Sequence, residues 1–280
     1  MNGDAADDTA GSDDGDGSDG DALRETLAAI YRTAGDRELS FLAAGVAYYA
    51  FVSLVPLVLL ALVVGSLVGG EALARRLIAV AGDFLPAAGE ELVIAALTTE
   101  ASRVEASVVA LVVAAWGGLK VVRGLSKAFG EVYDEVGETS LLGEVRDGLV
   151  VIVAVAGALG LMLVVGAVLG LFGGEVPFAG LLGWLVLLVG LFLAFLPIYY
   201  VLPPTRVTLA EVLPGAVVAT VGWAALQAGF QVYAASAARY EAYGAVGVVL
   251  LFVTWLYFAG MVLLLGAVVN VVRSRPATAA

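Results

Sequence analysis

The sequence predicts an all-α, polytopic integral membrane protein: six transmembrane helices accompanied by amphipathic interfacial helices. Residues 39–70 run without a charged side chain. Asp, Glu, Lys and Arg are again missing from 106–119, 149–174, 176–205, 212–238 and 242–272. A bilayer core about 30 Å thick needs roughly 20 apolar helical residues, and all but one of these windows exceeds that. Hydrophobic residues make up 61% of the 280 and charged ones 14%, against roughly 25% charged in soluble domains. No soluble domain of this length could bury so much apolar surface.

Taken in order, the chain opens with an acidic tail, residues 1–22. Positions 3–21 hold only Gly, Asp, Ala, Ser and Thr, too little apolar area to offset ordering entropy, so disorder is expected. The tail lacks a basic stretch followed by an apolar core and is not a signal peptide. Much of the net charge of −12 lies there, so the pI of 4.3 describes a tail and loops rather than a binding face. No basic footprint for nucleic acid is present. Scarce Lys, abundant Asp and an Arg-dominated basic set suggest a halophilic, haloarchaeal-type source.

Six spans follow at 41–68, 104–122, 149–172, 178–201, 210–235 and 244–272, inside a membrane domain of residues 23–275, with a short C-terminal tail at 276–280. The second span is the shortest and extends into the headgroups only if Lys120 snorkels. The connection 71–103 places Leu73, Leu77, Val80 and Phe84 at helical spacing, broken by Pro86 and Gly89, which fits amphipathic helices in the interface. The connection 124–136 gathers Leu125, Phe129, Val132, Tyr133 and Val136 on one face against Arg123, Lys127, Glu131 and Glu138. That pattern predicts an extension of the second span turning along the membrane surface.

Basic residues set the orientation. With the N-terminus inside, Arg24, Arg32, Arg37, Lys120, Arg123, Lys127, Arg146, Arg206, Arg273 and Arg275 face the cytoplasm, and only Arg75, Arg76, Arg103 and Arg239 face out. Both termini are therefore expected in the cytoplasm, and the protein in the cell membrane.

Cys and His are both absent. Disulfides, Cys/His zinc sites, thiol nucleophiles and His-based acid–base catalysis are excluded. There is no phosphate-binding glycine loop, no dinucleotide fingerprint and no nucleophile elbow. No catalytic residue, cofactor or metal ligand is expected. Glu131, Asp134, Glu135 and Glu138 could hold Mg²⁺ in principle, but a solvated helix face explains them better.

Polar residues inside the spans are the remaining candidates. Trp223, Gln227 and Gln231 stand at i, i+4 and i+8 on the fifth span with Thr220 beside them. Such a stripe serves interhelical hydrogen bonding at about 0.6 kcal/mol per contact, or else lines a substrate cavity. No charged residue lies securely within the middle of any span, which disfavours ion-coupled carriers. Gly65 and Gly69, and Gly166, Gly170 and Gly174, form GxxxG patterns that allow close packing or hinge a moving helix. Pro56 and Pro197 each remove a backbone donor and bend a span. Lys120, Arg123 and Lys127 gather where the second span ends, as contacts for anionic lipid headgroups at ~1 kcal/mol per charge. The bilayer is the expected partner, and self-association is left open.

Three segments carry a family resemblance. AAGVAYYAFVSLVPLVLL in the first span (43–60), GLSKAFGEVYD (124–134), and the stretch 196–270, from LPIYYVLPPTRVTLAEVLPGAVVAT to YGAVGVVLLFVTWLYFAGMVLLLGAVVN, resemble the YihY/BrkB family. These are inner-membrane proteins once misnamed ribonuclease BN. The resemblance implies six spans with cytoplasmic termini and no settled activity. Members often close the last span with Gly-Ala-Glu and a nearby Asn; here it reads Gly266, Ala267, Val268, Val269, Asn270, and only Asn270 matches. The expected function is a non-enzymatic membrane protein, a transporter or lipid-handling protein. The alternative is a scaffold docking partners through its cytoplasmic helix and tail. A membrane-bound nuclease is least expected.

Overall fold

The computed structural model describes residues 15–54, 102–135, 141–172, 179–237 and 244–274. All of its elements there are helices: α1 (Gly15–Asp36), α2 (Leu39–Leu54), α3 (Ser102–Tyr133), α4 (Leu141–Phe172), α5 (Ala179–Val201), α6 (Leu209–Ala237) and α7 (Gly244–Ser274). The protein is an all-α polytopic membrane protein. Four stretches among the described residues are long and apolar enough to cross a membrane: Leu142–Ala167, Leu181–Val201, Leu209–Tyr233 and Val249–Ser274. The first predicted span is described only to Leu54. The interfacial connection 71–101, Pro56 and the Gly65–Gly69 pair lie outside the described residues.

Local chemistry sets the helix ends. α1 begins at Gly15, so it runs back into the stretch where composition predicts disorder. It joins α2 through Arg37 and Glu38, with Glu38 in the left-handed region at φ 46°. The Glu38 carbonyl accepts the amides of Phe41 and Leu42 at 2.8 and 3.2 Å, which starts α2. α3 ends where Asp134 adopts φ 60° and the Glu135 amide returns to the Gly130 carbonyl at 3.1 Å, the six-to-one closure that satisfies orphan carbonyls. Pro203 and Pro204 stop the chain after α5. At the start of α6 the Thr208 amide donates to the Glu211 carboxylate at 2.7 Å, the glutamate half of a capping box, while the Thr208 carbonyl accepts Val212 N–H at 3.3 Å to open the helix ladder.

Neighbouring helices pack antiparallel. Along α2 and α3, Arg37 meets Asp134, the Tyr49 ring lies on Gly124, and Ser53 bonds the Gly117 carbonyl. α4 crosses α3 where Gly118 faces Ile152 and Gly148 faces Leu119 and Val122. Met162 of α4 lies over Gly190 of α5, and Val262 of α7 over Gly222 of α6. On the other side of α2, Gly260 of α7 lies against the Ala43 backbone.

The core gathers at the end of the bundle where α1 joins α2. It unites Leu39, Ala43 and Val46 with Leu125, Phe129 and Val132, Tyr199 and Leu202, Val212 and Ala216, and Leu264 and Val268. This corrects the expectation for 124–136. α3 is one helix through Tyr133, and its apolar face enters the core instead of turning along the membrane surface. Phe129 and Val132 are fully buried, Phe129 against Tyr199 with centroids 5.7 Å apart. Other helices of the same chain cover the face that the membrane interface was expected to cover; Val136 lies outside the described residues. At Gly166 a Cβ would meet nothing within 4 Å among the described residues, and Gly174 lies outside them.

Candidate functional site

Polar atoms inside the bundle are spent on helix backbone. Ser53 donates to the Gly117 carbonyl at 2.8 Å, and Thr220 and Thr254 each donate one turn back, to Ala216 and Leu250. The most connected group lies at the crossing of α5, α6 and α7. Tyr199 Oη donates to the Leu263 carbonyl at 2.7 Å. Asn270 accepts the Gly215 amide on Oδ1 at 2.6 Å and offers Nδ2 to the Val212 carbonyl at 3.4 Å. Pro214 lacks an amide and perturbs the helix ladder at this point, so Asn270 braces α6 beside a break in its own bonding. Gly215 and Gly266 face each other there: a Cβ on Gly266 would lie 2.7 Å from the Gly215 carbonyl. Sequence reading singled out Asn270 only as a family match. The spacing Gly266–Asn270, opposite Pro214–Gly215, was the available signal.

Tyr133 closes this group from α3. Its ring stacks on Phe129, while its buried hydroxyl makes no hydrogen bond among the described residues. Burial pushes that hydroxyl up to about 12, with the nearby Asn270 amide pulling in the opposite direction. An acid this weak, held among helix backbones, offers neither a base nor a nucleophile near neutrality.

The expected polar stripe on α6 divides. Trp223 packs between Phe195 and Trp255, at centroid distances of 5.4 and 5.3 Å, within an aromatic cluster that includes Phe230 and Phe252. Thr220 is buried and bonds its own helix. Gln227 is partly buried and Gln231 exposed, and among the described residues neither side chain takes part in a hydrogen bond. The structure therefore brings Trp223 into the core and leaves the two glutamines outside any polar constellation.

The three basic residues of α3 also separate. Arg123 pairs with Glu144 of α4 at 2.8–2.9 Å. Lys120 Nζ sits 5.8 Å from the centroid of the exposed Trp116 ring, a cation–π geometry. Lys127 is exposed one and two turns further along the same face. Of the acidic run, Asp134 bonds Arg37 at 2.6 Å, a contact that raises the already high Arg37 value. Glu131 and Glu135 are exposed, and Glu138 lies outside the described residues. Among the described residues no three acidic side chains converge as a metal site would require.

Between α2 and α7 lies an open groove of about 340 Å³ lined by Ala44, Ala47, Tyr48, Phe51, Val253, Thr254 and Tyr257. Its walls are methyl groups and rings. Three lining residues carry hydroxyls, Tyr48, Thr254 and Tyr257; that of Thr254 is committed to the Leu250 carbonyl.

Residues 30–280 match the virulence factor BrkB family. A segment of 81 residues is 35% identical to YfkH of Bacillus subtilis (strain 168), a protein named as ribonuclease-like; the segment covers 29% of this chain and 30% of that protein. No solved structure matches the chain significantly. The chain belongs to the virulence factor BrkB family.

Proposed function

We propose that this protein is a non-enzymatic membrane protein that handles lipid, with six spans and both termini in the cytoplasm. The observation that carries the reading is the groove between α2 and α7. It opens on a membrane-spanning bundle and is walled mostly by methyl groups and aromatic rings, so it suits an acyl chain, whereas a hydrated solute would leave most of its polar groups unanswered there. The hydroxyls of Ser53, Tyr199, Thr220 and Thr254 and the Asn270 amide bond helix backbone instead, which favours lipid handling over solute transport. Filling the groove tests it. Ala44→Phe, at an exposed lining position, should remove one co-purifying phospholipid of either headgroup class, counted by native mass spectrometry, with melting unchanged. An unaltered lipid count would sink the idea. Orientation is tested separately in this cysteine-free chain: Ala88→Cys should react with an impermeant thiol reagent in intact cells and Ser274→Cys should not.

The scaffold alternative keeps one observation. Leu23, Leu27 and Tyr31 form an exposed apolar row on α1, at 61%, 56% and 83% accessibility, of the kind that marks partner surfaces.

A further inference from the structure

The antiparallel register of α2 and α3 fixes how far along the bundle the cations of α3 stand. At 1.5 Å per residue, Lys127, Arg123 and Lys120 rise about 10, 16 and 21 Å from Asp134, which is level with Arg37. Over that rise α2 carries no charge. Its outward face shows Phe41, Tyr48 and Val52, at 74%, 63% and 43% accessibility, a row that suits lipid and not water. Bilayer contact therefore reaches down to Phe41. With an interfacial layer of roughly 5–8 Å on each side, Arg123 and Lys120 stand deeper than that layer as measured along α2, at the level where α4 brings Glu144 and the Arg146–Asp147 pair. Glu144 answers Arg123. Among the described residues Lys120 and Lys127 have no acidic partner, and Trp116 and Val112, both well exposed, extend the same side of α3 as apolar surface beyond Lys120.

We infer that Lys120 and Lys127 hold the phosphate of an anionic phospholipid drawn below the headgroup plane, its acyl chains running along Trp116 and Val112. The two lysines are two turns apart on one helix face, so both flexible stems can converge on one phosphate. The Arg123–Glu144 pair between them is neutral and holds α3 to α4. Water and headgroup enter with the lipid, and the leaflet thins beside α3. The inference rests on the lipid-handling reading and adds a headgroup class at a place on the bundle distinct from the groove.

Native mass spectrometry from nanodiscs holding equal phosphatidylglycerol and phosphatidylcholine tests it. At the usual worth of a basic residue near a membrane, two lysines give about 30-fold enrichment of phosphatidylglycerol on the protein. Lys120→Gln/Lys127→Gln should abolish that preference, whereas Lys120→Arg/Lys127→Arg should keep it. If the glutamine variant does not fold, the wild-type ratio and the arginine variant still decide. Equal retention of both lipids by the wild type overturns the anionic site alone, while retention of neither overturns the lipid-handling reading as well. A dimer mass that collapses in the glutamine variant, without loss of bound lipid, would assign the lysines to a second copy and overturn the proposal.

Discussion

Gly266→Ala tests the close approach of α5, α6 and α7 with a single methyl group. An ideal Cβ at this position would lie 2.8 Å from Tyr199 Cζ and 2.7 Å from the Gly215 carbonyl oxygen, with Tyr199 Oη closer still. One neighbour is backbone on an adjacent helix, so the strain cannot be relieved by turning a side chain. Overpacking of this kind costs about 1–3 kcal/mol. If the ring retreats, the Tyr199–Leu263 hydrogen bond is lost at about 1 kcal/mol more. Alanine regains up to about 1 kcal/mol of helix propensity over glycine, which leaves a net loss of about 1–3 kcal/mol. At roughly 2–4 °C per kcal/mol for a large single domain, the melting temperature in detergent should fall by about 2–12 °C. Tyr199→Phe removes the nearest atom and should restore part of the loss in the double variant, a coupling that a double-mutant cycle reads directly. Gly157→Ala serves as control, because among the described residues nothing lies within 4 Å of a Cβ there. Equal melting of Gly266→Ala and wild type would refute the crossing geometry.

Three further expectations follow from single groups. Tyr133→Phe deletes a buried hydroxyl that has no hydrogen-bond partner among the described residues, so it should be neutral or stabilising by up to about 1 kcal/mol. The same group predicts a pH effect. Its folded value, about 12 against an ordinary 10.0, means the fold favours the neutral form. That stabilisation is complete below pH 10 and is lost as pH rises from 10 towards 12; the alkaline fall in melting temperature should shrink in Tyr133→Phe. Glu38→Gly relieves a left-handed residue at φ 46°, worth about 1–2 kcal/mol, less about 0.4–1 kcal/mol of added unfolded-state freedom; a slight rise in melting temperature is expected, and a fall would assign Glu38 a contact that outweighs its strain.

Much of the fold was legible because charge-free windows report membrane depth, and most windows that returned as described helices did so with ends close to those expected. What the sequence does not distinguish is lipid from protein. Leu125, Phe129 and Val132 announce an apolar face, but that face is equally content against acyl chains, an interface or Tyr199, so the pattern alone placed it wrongly. In water the hydrophobic effect sorts inside from outside; within a bilayer both are apolar, and sorting falls to small residues and single polar atoms. The decisive positions are accordingly quiet ones. Gly215 and Gly266 matter through what they lack, and Asn270 through two hydrogen bonds to a neighbouring helix.

The same reasoning explains why the candidate residues fared so unevenly. Gln227 and Gln231 were expected to bond neighbouring helices or to line a cavity, and among the described residues neither side chain makes a hydrogen bond. Trp223 found an aromatic cluster that its indole could have found on any span. Lys120, Arg123 and Lys127 form one cluster in sequence, but their environments differ: one is answered by Glu144, one rests beside Trp116, one stands free on the surface. Spacing put them on a shared face; only the register of α2 against α3 gave that face a depth. A lysine at the headgroup plane is a topology signal, whereas the same lysine inside the hydrocarbon layer requires an anion or water beside it. The difference between those two meanings is a matter of about 20 Å along one helix, and it turns on where Asp134 meets Arg37.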